Sequence, residues 1–235
     1  KKNKSRTVHS IPSNHEIIRK NWGKQVGFST DIAAAVHLIL LADYFDLGGI
    51  ALGMPIDNTY LWHGYKFRDF SQTHWWNEWS PLLSSIGLDL ILPIAGISEA
   101  SAVSIVKKGG LGKIVSSCLR KGHPGCGKCW KCFHKNAMLG HPYDINSREI
   151  QTFLNKRPVR TATHAIWWVK QQGHWDQIPD LIHFRELDFS WWVQHYPPAF
   201  ELLPVWIRKE IQTSIENYVE VMEDDSTLIS WNLFP

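Results

Sequence analysis

Apolar residues recur at helical spacing across residues 29–47, where Ile32, Ala35, Val36, Ile39 and Leu40 form one stripe. Ser29, Thr30 and Asp31 offer an N-cap and an acidic first turn, and Gly48-Gly49 a stop. Residues 50–54 (IALGM) form a short apolar run that suits a buried strand. Residues 60–79 are rich in aromatics and read as loop combined with helix. Residues 88–94 (LDLILPI) read as a second strand. Ser98 caps a helix over 99–108, with Lys107 and Lys108 in its last turn and Gly109-Gly110 at its end. Residues 113–117 (KIVSS) read as a third strand running into Cys118. This alternation predicts an α/β fold with a parallel sheet. Ligands of such sheets bind beyond the carboxyl ends of the strands, which puts segments 53–58, 96–99 and 116–118 on one rim.

Residues 141–235 follow a different pattern. Segments 147–156, 161–172 and 201–222 read as helices, separated by Pro158, Gly173, Pro179 and Pro197-Pro198. Seven of the thirteen tryptophans lie here: Trp167, Trp168, Trp175, Trp191, Trp192, Trp206 and Trp231. Such density fills a helical core, builds a protein interface, or stacks on bases. Charge narrows the choice. Residues 1–140 carry 17 Lys/Arg against 9 Asp/Glu, and residues 141–235 carry 8 against 13. A local net charge of −5 argues against a phosphate-binding surface, so nucleic acid is not an expected partner. The change of sign marks a candidate boundary between a 1–140 domain and a helical 141–235 region.

The chain has 235 residues, 44% hydrophobic and 20% charged, which suits one or two domains and excludes disorder as the dominant state. The longest apolar stretch, 32–41, contains His37 and is followed by Asp43 and Asp46, well short of the roughly 20 residues a spanning helix needs. Residues 1–6 are basic, but no apolar segment of a secretory signal follows. The expected location is the cytoplasm. The chain begins without Met, which predicts that it is processed, trimmed or incomplete.

All four cysteines, Cys118, Cys126, Cys129 and Cys132, fall within fifteen residues. Disulfide-stapled domains spread their cysteines instead. Gly122, Pro124, Gly125 and Gly127 let the backbone curl so that several sulfurs point inward. Four thiolates around one ion is the closed arrangement of structural zinc. The same spacing also occurs around iron–sulfur clusters, and His123 or His134 could replace one cysteine. Lys121, Lys128 and Lys131 offset the thiolate charge.

The segment CGKCWKC followed by FHKNAMLG resembles the end of the 7-cyano-7-deazaguanine synthases. These belong to the PP-loop ATPases of the adenine nucleotide alpha hydrolase-like (HUP) superfamily. Upstream, VGFSTDIAAAVHLILLADYF, IALGMPIDN, HGYKFRDF, LPIAGISEA and IVSSC match that family in order. SEASA and GCGKCWKC are similar to the muramyl-peptide glutamate epimerase relatives as well. The resemblance covers roughly residues 15–140. It implies ATP with Mg2+, structural zinc, and activation of a small-molecule or peptide carboxylate as an adenylate, then attack by a nitrogen nucleophile. The family's S-G-G-x-D-S pyrophosphate loop does not occur in these 235 residues; GGLGK at 109–113 lacks its Asp and Ser. The chain therefore resembles the second half of that fold, with the loop expected upstream or on another polypeptide. The alternative is a zinc-stabilised binding subunit of a multi-protein complex, or an epimerase-like enzyme.

The resemblance sets Ser29, Thr30 and Asp31 near nucleotide, although a helix cap also explains them. It sets Asp57 and Asn58 at a strand end that reads substrate, although they also suit a turn. Tyr65 and Arg68 lie in the matching HGYKFRDF segment, where Arg68 can grip an anion or pair with Asp69. Glu99 matches an acidic helix start. Lys113 and Arg120 flank the cysteines and suit a solvated basic face. No histidine is assigned to catalysis.

Overall fold

The computed structural model describes residues 35–234 except 119 and 123. Within that range the fold is a mixed α/β arrangement with one small parallel sheet. Two compact units divide the chain. Of the described residues, one unit comprises 35–50 and 74–90, the other 51–73 and 91–234.

In the first unit the expected long helix is broken into α1 (Val36–Leu40) and α2 (Ala42–Phe45). Asp46 ends α2 in the left-handed region at φ 51°, and Leu47 N–H returns to the Ala42 carbonyl, so the chain turns before Gly48. Strand β1 (Gly49–Ala51) pairs with a strand taken up later in the chain, β4 (Asp89–Ile91). Asp89 N–H donates to the Gly48 carbonyl at 3.1 Å. Between them runs α3 (His74–Ser85). The strands are shorter than the apolar runs 50–54 and 88–94.

The second unit holds the carboxyl ends of both strands, the residues from β1 to 73, and the chain after β4. Segment 60–79 contains a hairpin of β2 (Leu61–Trp62) and β3 (Lys66–Phe67), paired Leu61 to Phe67 and Trp62 to Lys66. The C-terminal residues strap it: Phe67 N–H donates to Trp231 O, and Leu233 N–H to Tyr65 O. Helix α4 (Glu99–Lys108) begins where the sequence places it, with Ser98 Oγ accepting the Ser101 N–H at 3.0 Å. Helices α5 (Arg148–Asn155) and α6 (Ala162–Gln172) also match their expected ranges. Helix α7 (Val205–Glu216) is shorter than the expected 201–222, because Pro204 marks its start and 197–202 form a separate tight turn of helix. A short α8 (Ser226–Ile229) follows.

The third strand is a correction. Residues 113–117 form a turn followed by irregular chain and belong to no strand. Ile114 and Val115 N–H both return to Leu111 O, and Ser117 N–H donates to the side chain of Asn136 at 2.9 Å. The backbone groups that a ladder would use are taken locally and by that amide.

Much of the interior of this unit is built by Ile91, Ile97, Phe200, Leu203, Ile215 and Val219, with Ile105 of α4 and Ile211 of α7 against them. Five of the seven C-terminal tryptophans are buried: Trp167, Trp168, Trp191, Trp192 and Trp231. Their density is core, and the indole of Trp231 donates to Thr163 Oγ1 at 2.7 Å. Gly96 is required by close approach. A Cβ there would lie 2.5 Å from Tyr196 O and 2.7 Å from Ala199 Cβ.

Candidate functional site

The four thiols converge. Sγ separations are 4.0 Å for Cys118–Cys129, 3.7 Å for Cys126–Cys132 and 3.5 Å for Cys129–Cys132. Four sulfurs set tetrahedrally at about 2.3 Å from one ion stand about 3.8 Å apart. None of the four is in a disulfide. Backbone N–H groups point at the sulfurs: Cys126 and Arg120 at Cys118, Gly127 at Cys132, Lys128 at Cys126. Burial works upward on the Cys118 thiol, but the N–H groups of Arg120, Cys126 and Lys121 outweigh it and bring it down to about 6. Burial pushes Cys129 up to about 12 when no cation is present. Gly125, at φ 106°, makes the fold of the loop possible; a Cβ there would meet Asn136 Nδ2 at 2.6 Å and Cys132 Sγ at 3.1 Å. The donor set and its spacing fit a metal ion.

The last cysteine opens a wide helical turn, Cys132–Asn136, of a type often found at functional sites. One end of this turn serves the sulfurs: Asn136 Nδ2 lies 3.5 Å from Cys132 Sγ and 3.3 Å from Ser116 Oγ. The middle serves a second cluster. His134 is fully buried, with Nδ1 2.8 Å from Glu99 Oε2 and Nε2 2.9 Å from Thr161 Oγ1. It is thereby turned away from the cysteines and does not replace one. Lys135 Nζ holds the other Glu99 oxygen at 2.7 Å. Helix α6 brings His164, also fully buried, whose ring lies 3.9 Å from that of His134.

Asp57 completes this rim. It is 1% exposed, and its Oδ2 accepts the Glu99 N–H at 3.2 Å. Burial, then the charge of Glu99, pushes Asp57 up to about 8. Burial opposes ionisation of Glu99 as well, but His134, Lys135 and His164 hold it well below the usual carboxylate range. Burial, then the neighbouring His134, lowers His164 well below the ordinary histidine value.

Of the residues singled out in the sequence, the structure brings together Asp57, Glu99 and the four-cysteine segment. Asn58 is exposed, and its carbonyl and that of Thr59 accept the Arg68 guanidinium at 2.8 and 2.7 Å. Arg68 thus braces the loop after β1. Tyr65 packs against Phe234 and His63. Ser29, Thr30 and Asp31 lie outside the described residues. Arg120 pairs with Glu149. The sequence offered His134 only as a replacement for one cysteine and did not single out His164. The available signals were a histidine two residues after Cys132 and one inside the apolar run of α6.

A model of a family of unknown function, DUF6395, matches residues 78–231, about two-thirds of the chain and all of α4 through α8. The chain belongs to the DUF6395 family. The match takes in the four cysteines, Glu99, His134 and His164, but begins after Asp57. No curated protein and no solved structure matches the DUF6395 chain. Among its described residues, no helix is long and apolar enough to cross a membrane.

Proposed function

We propose that the chain is the zinc-bearing, substrate-side part of an ATP-dependent enzyme of the PP-loop type. The observation that supports this reading is the convergence of Asp57, Glu99 and Lys135 on one rim. Asp57 lies on the loop after β1, Glu99 follows the loop after β4, and Lys135 sits in the turn that Cys132 opens. Open α/β sheets bind their ligands where loops from the carboxyl ends of parallel strands meet. Cys118, Cys126, Cys129 and Cys132 would hold zinc through four sulfurs, which closes its coordination and gives it a structural role. The substrate carboxylate would attack the α-phosphorus of ATP and expel pyrophosphate. A nitrogen nucleophile would then displace AMP. Asp57, Asn58 and Glu99 would orient that nucleophile, and the residues at 29–31 would serve the nucleotide side. Their contribution is positioning and charge.

The test is an assay of the intact protein, isolated from its source with any associated chains, given ATP, Mg2+ and panels of carboxylic acids and amines. AMP and pyrophosphate should appear in equal amounts, and Glu99→Gln should slow their formation at least tenfold. ATP left unchanged with every panel would overturn the reading. A second reading, a zinc-stabilised binding subunit, is favoured by one feature. Val205 and Trp206 at the start of α7 are 83% and 61% exposed. A stable partner complex without AMP formation would select it.

A further inference from the structure

The geometry points to a second metal site, distinct from the four cysteines, in which Glu99, His134 and His164 bind a first-row divalent transition-metal ion through Oε2 and two Nδ1 atoms. One ligand atom from each residue lies within 4.8 Å of the others. Sites of two imidazoles and one carboxylate with open positions suit zinc or ferrous iron, not magnesium or calcium.

The ring tautomers follow from the hydrogen-bond network. His164 Nε2 lies 2.7 Å from the His134 carbonyl oxygen, which only accepts, so Nε2 carries the proton. Nδ1 of a neutral His164 is then a bare lone pair, and it is buried with no hydrogen-bond partner. Thr161 Oγ1 directs its own hydrogen to Arg160 O at 2.6 Å, so it accepts from His134 Nε2. That leaves His134 Nδ1 facing the carboxylate Oε2 at 2.8 Å, an ion pair when Nδ1 carries a proton, with the ring turned so that neither atom completes a hydrogen bond. A proton on His134 would serve this pair alone, whereas a metal ion also takes up the buried, unpartnered Nδ1 of His164. Ligands at right angles, each about 2.1 Å from one ion, stand about 3 Å apart. A histidine whose far nitrogen donates to a carbonyl or another acceptor is the usual outer arrangement around a bound metal. Phe153, Trp130, Trp167 and Trp192 enclose the two rings and keep that arrangement dry. Lys135 engages Oε1 and leaves Oε2 to the ion. The inference does not depend on ATP chemistry.

The experiment loads the tag-free chain with Zn2+ and, separately, with Fe2+ under anaerobic conditions. Metal per chain is then measured by plasma mass spectrometry, and the ligand shell by X-ray absorption. The expected result is two equivalents, with a sulfur shell at about 2.3 Å and a nitrogen/oxygen shell near 2.0–2.1 Å. His164→Asn should remove one equivalent and the nitrogen/oxygen shell and keep the sulfur shell. The wild-type measurement decides even if that variant fails to fold. One equivalent with only nitrogen and oxygen ligands would uphold this site and reject zinc at the cysteines. One equivalent with only sulfur, or no metal at all, would overturn it.

Discussion

His164 donates through Nε2 to the main-chain carbonyl of His134 at 2.7 Å, joining the middle of α6 to the turn that Cys132 opens. The bond lies in a fully buried setting, so its loss leaves an unsatisfied carbonyl as well as a cavity. His164→Ala should destabilise the chain by about 2–4 kcal/mol. Urea unfolding followed by tryptophan fluorescence measures this directly, because Trp167 and Trp192 lie against the ring.

Gly96 makes a comparable prediction from backbone packing. A Cβ at 2.5 Å from Tyr196 O cannot be absorbed by a flexible side chain. Gly96→Ala should cost about 1–3 kcal/mol. Thermal unfolding of the variant should show a lowered Tm; an unchanged Tm would contradict the placement of 195–199 over this loop.

Acid should weaken the fold through His195. Its ring is 1% exposed, stacks on Phe200 at 4.0 Å, and has no partner at either nitrogen. Burial lowers its pKa to about 4, against about 6.5 in the unfolded chain. Between those values the unfolded state binds the proton first. The stability is therefore complete above pH 6.5 and is lost as pH falls toward 4, by at most about 3 kcal/mol. His195→Gln should flatten the pH dependence of the urea midpoint over this window.

Metal removal should expose the cysteines. With an ion in place, the four sulfurs should resist alkylation. After treatment with a strong chelator all four should react, and the segment around Gly122 and Gly125 should become a site of rapid proteolysis. Cys132→Ser should have the same effect without chelator, since Gly127 N–H and Asn136 both lean on that sulfur.

The parts legible in the sequence are those fixed by neighbours along the chain. Ser98 caps α4 because its hydroxyl reaches only three residues ahead, and the four cysteines announce themselves by spacing. Helix α6 ends at Gly173 as glycine in the left-handed region allows. The misread strand at 113–117 failed because Asn136, nineteen residues beyond Ser117, takes its backbone N–H. The same kind of distance hid the site. Asp57 meets Glu99 across 42 residues and His134 meets His164 across 30, and each looks ordinary in its own segment. The tryptophans were visible as a group, but core and interface share that composition; only burial separated Trp192 from Trp206.

A metal ion held by the four cysteines would organise the rim, because the turn that Cys132 opens carries His134 and Lys135 to Glu99. Hydrogen exchange of the intact chain, read by mass spectrometry before and after metal removal from the cysteines, tests this most directly. Exchange should quicken in 118–136 and also in 56–59 and 97–101, where Asp57 and Glu99 lie. Faster exchange confined to 118–131, with both rim segments unchanged, would contradict it.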